Sequence, residues 1–254
     1  MIATTQEEIE HLRMSGKILS DVLTALAGLV RAGTTTAALD LAAEKIIRER
    51  GGVPAFLNYK PSGAKHPFPA ALCVSVNDQV VHSIPSEETI LKSGDIVSLD
   101  LGVNYQGFFS DSAITVCVGE CDEAGKKLIN ATREALAAGL ATIRHGAHVG
   151  DVGAAVAAVA ARNKLGVVEE LGGHALGKAV HEKPFIGNVG TAGQGEELVE
   201  GHVLAIEPIF AEGLGDIVLD ADGWTYRTCD RSRAAHFEQT ILVTKTGIEI
   251  LTPF

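Results

Sequence analysis

Residues Leu91–Asp100 read LKSGDIVSLD, and residues Leu198–Glu207 read LVEGHVLAIE. In each, a glycine precedes an acid by six residues, with aliphatic side chains alternating between them. Alternation with a period of two marks a β-strand buried on one face, and both strands end on a carboxylate. The echo extends upstream. Val81–Pro85 (VHSIP) and Val180–Pro184 (VHEKP) share Val-His-x-x-Pro, and the Arg-x-Gly at Arg31–Gly33 and Arg144–Gly146 each opens a helix-like stretch. Three landmarks recur in one order, which points to a duplicated unit folding into two pseudo-symmetric halves of helices and strands. A repeat of roughly a hundred residues is too long for a solenoid. Gly33 to Gly94 spans 61 residues and Gly146 to Gly201 spans 55, so the first half carries a net excess of six. The Pro- and Gly-bearing segment Lys60–Ala70 is the natural place for it.

The rest of the chain is consistent with one domain over residues 1–254. Thr5 and Glu8 form a capping-box pattern ahead of a helical apolar spacing at Ile9, Leu12, Ile18, Leu23 and Leu26. Further helices are predicted over about Thr36–Arg50, Glu123–Ile143 and Gly150–Asn163. No Pro/Ser/Gly linker or charge run divides the sequence. With 46% hydrophobic residues and a mean hydropathy of +0.19, a sizeable core can form. The net charge of −11 argues against a nucleic-acid partner. Neither a signal-like segment nor an apolar run long enough for a membrane is present, so a cytoplasmic protein without membrane association is expected. Cys73, Cys117, Cys121 and Cys229 form no CxxC pair, and Cys117 and Cys121 are expected to be ordinary reduced cysteines.

The acids carry the chemistry. In Ser98–Val116, SLDLGVNYQGFFSDSAITV, two strand-like runs flank the turn NYQG. A hairpin centred there would set Asp100 directly opposite Asp111, with Cβ atoms roughly 5 Å apart. Two ionised carboxylates so placed repel unless a cation lies between them. Solvated aspartates on an exposed hairpin are the alternative. Glu207 ends the apolar run VLAI, Glu238 opens another strand, and His174 sits between glycines in GGHALG. Singly, each could be a rim or core residue. Together, two Asp, two Glu and a His can bind two divalent ions through shared carboxylates and make water a nucleophile at neutral pH. The residues alone lead as far as a dinuclear metal hydrolase.

The segments SVNDQVVHSIP, GDIVSLDLGVNYQGFFSDSA, GGHALGKAVHEKP, LAIEPIF, DGWTYRTCDRSRAAHFEQTILVT and GIEILT resemble type I methionine aminopeptidase, in that family's order and spacing from about Cys73 onward. The resemblance implies an α+β pita-bread fold: an antiparallel sheet flanked by helices with pseudo-two-fold symmetry. It implies removal of the N-terminal methionine from nascent proteins, preferably before a small second residue, by a monomer working near the ribosome. Two divalent ions (cobalt, manganese, iron or zinc) are implied as cofactors. Asp100 would bind one ion, His174 and Glu207 the other, and Asp111 and Glu238 would bridge. Glu207 would also be the general base. His82 and His181 would flank the scissile amide, one from each copy of the repeat. Tyr59, Phe68, Cys73 and Trp224 match the family's methionine pocket.

The sequence departs from the family habit at Ser83 (commonly Gly), at Gln239 (commonly His) and at Val180. It also has a longer loop between Tyr59 and Phe68-Pro69. The 63 residues from Asp111 to His174 leave no room for the large type II insertion. Two other readings stay open: an Xaa-Pro aminopeptidase or prolidase, which shares the fold and ligand type, and a non-catalytic pita-bread protein that binds peptides.

Overall fold

The computed structural model describes residues 1–254. In chain order the elements are α1 (Gln6–Ala27), α2 (Thr36–Glu49), β1 (Val53–Pro54), β2 (Cys73–Val76), β3 (Gln79–Val81), β4 (Ile96–Tyr105) and β5 (Phe108–Cys117). Then come α3 (Glu123–Leu140), α4 (Val149–Asn163), β6 (Gly166–Val167), β7 (Gly172–Ala175), β8 (Glu182–Gly187), β9 (Val203–Ile206) and β10 (Ile209–Ala211). The chain closes with β11 (Ile217–Leu219), β12 (Tyr226–Thr228), β13 (Ala234–His236), β14 (Glu238–Val243) and β15 (Ile248–Ile250). The main sheet is antiparallel with the order β1-β4-β5-β14-β9-β7-β8, β2 pairing with β4 and β15 with β14. No helix is long and apolar enough to cross a membrane.

The helices begin where the sequence signals place them. Thr5 and Glu8 close a capping box at α1, and the Thr35 side chain accepts from Ala38 N at α2. All four helices share one apolar core with the sheet, through side chains such as Leu19, Leu39, Leu128 and Val156. Leu99 and Leu101 enter that core. Strand alternation therefore turns Asp100, between them, to the opposite face.

The repeat is legible in backbone hydrogen bonds. Gly33 N donates to Leu91 O (2.9 Å) and Gly146 N to Leu198 O (2.8 Å). The bridge Thr35–Ile90 has its counterpart in His148–Glu197. Gly94, at φ +92°, donates to Val118 O, and Gly201, at φ +90°, donates to Val243 O, both at 2.9 Å. That left-handed conformation suits glycine. The fold is the pseudo-symmetric α+β architecture expected from the duplication.

Three expectations are corrected. The hairpin turns at Gln106-Gly107, both at positive φ (53° and 84°), so its centre lies one residue later than the sequence suggested. Asp100 consequently pairs with Ala113 and Asp111 with Gly102. The two aspartates are diagonal neighbours rather than opposite, but an offset of two keeps them on one face. The six-residue excess is a difference between two insertions. Pairing through β2–β4 and β7–β9 matches Ser75 with His174. Thr35 to Ser75 then spans 40 residues against 26 for His148 to His174, while His82 to Leu91 spans 9 against 17 for His181 to Leu198. Finally, Cys117 and Cys121 are joined as a disulfide, because the Val118-Gly119-Glu120 turn, with Gly119 at φ 69°, brings their Cα atoms to 5.7 Å.

Candidate active site

One cavity of about 550 Å³, counting its open mouth, gathers every residue selected from the sequence. Asp100, Asp111, His174, Glu207 and Glu238 line it with His82, His181, Tyr59, Phe68, Cys73 and Trp224, and Phe56 and Pro61 complete the wall. Those last two were missed because an apolar residue in a loop reads as ordinary packing.

Strand geometry delivers the acids. Asp100 on β4 faces Cys73 of β2, and Asp111 lies on β5. The Asp111 backbone is locked to β14, its N–H donating to Thr240 Oγ1 (2.9 Å) while that hydroxyl donates to Asp111 O (2.7 Å). Ser112 Oγ donates to Glu238 O at 2.6 Å and Thr115 Oγ1 to His236 O at 2.8 Å, so β5 also fixes the segment carrying these two side chains. Glu207 sits where Pro208 interrupts the ladder: β9 pairs with β14 up to Ile206, and β10 pairs with β13 from Ile209. Gln239, where the family habit is histidine, donates its amide to Thr252 O (3.1 Å).

The donors converge. Asp111, His174 and Glu238 each offer an atom within 4.8 Å of the other two, and so do Glu207, His236 and Glu238. Glu238 belongs to both groups. Asp100 lines the same cavity outside these triads. His236 was not selected from the sequence. The signal that could have found it is its alternation with Glu238 across Phe237. His174 Nδ1 lies 3.0 Å from Ala175 O, and a carbonyl can only accept, so Nδ1 carries the proton and Nε2 keeps its lone pair. That nitrogen is 3.9 Å from Glu207 Oε1.

Burial dominates the electrostatics. It pushes the Asp100 carboxyl up to about 7. Asp111 and Glu238 rise well above the carboxylate range, first from burial and then from neighbouring carboxylates, Asp100 and Glu207 for Asp111, and Asp111, Glu207 and Asp100 for Glu238. Burial also raises Glu207, while the adjacent His236 imidazole pulls it back. Burial, then the proximity of His181, holds His82 down to about 4 and His174 to about 3, and burial lowers His181. These imidazoles are neutral at pH 7. Asp111 Oδ1 is buried without a hydrogen-bond partner. Crowded, dehydrated carboxylates with an orphaned oxygen and a neutral imidazole suit divalent cations: oxygen and nitrogen donors are deprotonated or neutral for that role.

The pocket wall is tied to the site. Tyr59 Oη lies 2.8 Å from His181 Nδ1, and the His174 and His181 ring centres are 4.4 Å apart. Phe68 stacks edge-on to Trp224 at 5.2 Å. The extra loop reaches this rim. Trp224 Nε1 donates to His66 Nδ1 (3.2 Å), and His66 Nε2 donates to Asp222 O (2.9 Å), a single tautomer satisfying both.

Residues 10–245 match the model of metallopeptidase family M24. The chain belongs to metallopeptidase family M24. It is 42% identical over 250 residues to "Methionine aminopeptidase" of Aquifex aeolicus, covering 98% of this chain and 97% of the relative. It is 40% identical over 251 residues to "Methionine aminopeptidase 1" of Mycobacterium tuberculosis, covering 96% and 92%. Among solved structures, methionine aminopeptidase from Thermotoga maritima superposes with a TM-score of 0.94 at 40% identity, each chain fully covered. Prolidase from Pyrococcus furiosus superposes at 0.76 with 20% identity, covering all of this chain and 66% of that one. The latter shares the fold.

Proposed function

We propose that this chain, acting as one catalytic domain, hydrolyses the peptide bond after an N-terminal methionine. The observation that carries this reading is one cavity with two chemically distinct ends. Three buried carboxylates, the partly buried Glu207 and His174 form one, and Phe56, Phe68 and Cys73, with Tyr59 and Trp224 packed against them, form the other. Burial keeps the Cys73 thiol and the Tyr59 phenol neutral, and a thioether packs favourably against such aromatic faces. The substrates would be polypeptide N-termini with a small second residue, emerging from the ribosome in the cytoplasm and met by a monomeric enzyme.

Asp100, Asp111, His174, Glu207 and Glu238 would hold two divalent ions drawn from cobalt, manganese, iron or zinc. Bound there, such ions polarise a carbonyl and acidify water. Glu207, its carboxyl raised by burial, is poised to take a proton from the attacking water and return it to the leaving amine. His82 and His181, neutral and on the cavity wall, direct hydrogen bonds to the substrate backbone and to the developing oxyanion. Tyr59 orients the His181 ring through its 2.8 Å contact.

A peptide panel tests the reaction. Met-Ala-Ser peptides should release methionine, the activity vanishing on chelation and returning with a divalent ion. Cleavage of Ala-Pro peptides with Met-Ala peptides untouched would place the chain with the proline-directed enzymes instead, and no cleavage of either would leave a peptide binder. The division of roles has its own test. His82→Ala should lower kcat about 100-fold with metal content unchanged. A matching fall in bound metal would make His82 part of the metal site.

A further inference from the structure

We propose that His236 is a nitrogen ligand of the metal centre, supplying a second imidazole on the side of Glu207. The inference rests on the metallopeptidase reading above and adds a donor to it. His236 is 1% exposed, and neither ring nitrogen has a hydrogen-bond partner. A buried imidazole with both nitrogens unsatisfied calls for a missing partner. Nε2 lies 3.2 Å from Glu207 Oε2 and 3.9 Å from Glu238 Oε2. The first distance has hydrogen-bond length without hydrogen-bond alignment. Two donors sharing one cation at metal–ligand distances near 2.1 Å lie roughly 3 Å apart, so the spacing suits joint ligation.

The duplication gives an independent reason. Val118 exchanges hydrogen bonds with Gly94 and Asp95 as Val243 does with Gly201 and His202. Counting back seven residues from each matches Asp111 with His236. The ladders agree: Asp111 pairs with Gly102 on β4, and His236 pairs with Ile209, the residue matching Gly102, on β10. Asp100 and Glu207 are matched in the same way. Each half therefore brings one carboxylate from its first strand and one further donor from its second to the acid cluster, Asp111 in one half and His236 in the other, each with an atom within 4.8 Å of a Glu238 oxygen. Both second-strand donors carry an atom that is buried and unpartnered. Thr115 holds the His236 backbone at both ends, its Oγ1 accepting from His236 N and donating to His236 O, each at 2.8 Å. The ring is thus presented from a fixed main chain.

The test loads the full chain with Mn²⁺ and records pulsed EPR of the nitrogen couplings. Wild type should give two imidazole nitrogens and His236→Gln one, with Mn²⁺ affinity by equilibrium dialysis falling at least about 10-fold. A single imidazole coupling in wild type overturns the proposal, whatever the variant does. So does a fall in affinity with the nitrogen pattern unchanged, which would make His236 a hydrogen-bonding support for Glu207. Failure of wild type to bind Mn²⁺ or any divalent ion would instead sink the metallopeptidase reading itself. Because the wild-type spectrum decides the point alone, a variant that folds poorly does not weaken the test.

Discussion

Glu238→Gln is expected to lower kcat/KM on Met-Ala-Ser peptides by about 1000-fold or more, and to raise the thermal stability of the metal-free protein. Glu238 is the side chain common to both donor triads, and it is buried. The amide keeps its shape but loses the charge that would neutralise the cations. Loss of several kcal/mol of charge stabilisation converts to about three powers of ten in rate. The opposite effect on stability follows from burial. With no cation present, the Glu238 carboxyl is pushed well above its ordinary range by dehydration and by Asp111 and Glu207 beside it. Folding at neutral pH must therefore protonate it, and a neutral amide removes that cost. Initial rates, metal content and calorimetry of the chelated protein check the three parts together. A variant that keeps its metal and its rate would remove Glu238 from the centre. One that is inactive and also less stable without metal would be damaged in its packing rather than in its chemistry.

Much of this was readable in the chain because duplication and alternation are local patterns. The matched glycines Gly94 and Gly201 need a left-handed backbone, and the acid six residues on follows from strand periodicity. The five proposed ligands and the two Val-His-x-x-Pro histidines come together as expected. What failed was register. A one-residue error in locating the turn moved Asp111 from a position opposite Asp100 to a diagonal one, and only the positive φ at Gln106 settles this. The disulfide was missed because a turn that brings Cys117 and Cys121 together has no signature distinct from a solvent-facing loop. His236 escaped for a similar reason. A histidine in a short strand is usually core, and its proximity to Glu207 depends on β10 and β13 pairing across 27 residues. The two unequal insertions were seen only as their net difference, since length counts cannot separate an excess in one half from a smaller one in the other.

Removing the metals should make stability fall as pH rises above about 6.5, unlike the behaviour expected of the loaded protein. Asp100 in the folded chain has its carboxyl at about 7 against an ordinary 3.8. Folding therefore favours its protonated form, and that stabilisation is complete below pH 3.8 and lost as pH climbs through 7. Asp111 and Glu238 are raised in the same direction, by burial first, and add to that loss. The histidines act in the other direction. His82 and His174 are held near 4 and 3, and their contribution is complete above 6.5 and lost on acidification through those values. Below 6.5 the two sets oppose one another. Above it the histidines are neutral in both states and the carboxyls alone remain. Each carboxyl that still holds its proton in the folded state costs about 1.4 kcal/mol per pH unit. Between pH 6.5 and 8 the chelated protein should lose up to about 2 kcal/mol for each carboxyl that keeps its proton across the interval, a few °C in Tm apiece for a chain of this size. Divalent ions compete with those protons and bind the ionised forms, so the loaded protein should hold or gain stability over the same interval. Calorimetry with and without chelator at pH 6.5, 7.2 and 8 reads the difference. Parallel Tm curves would mean that the carboxylates are not in mutual repulsion when the ions are gone, and the cavity would then be reorganised rather than preformed.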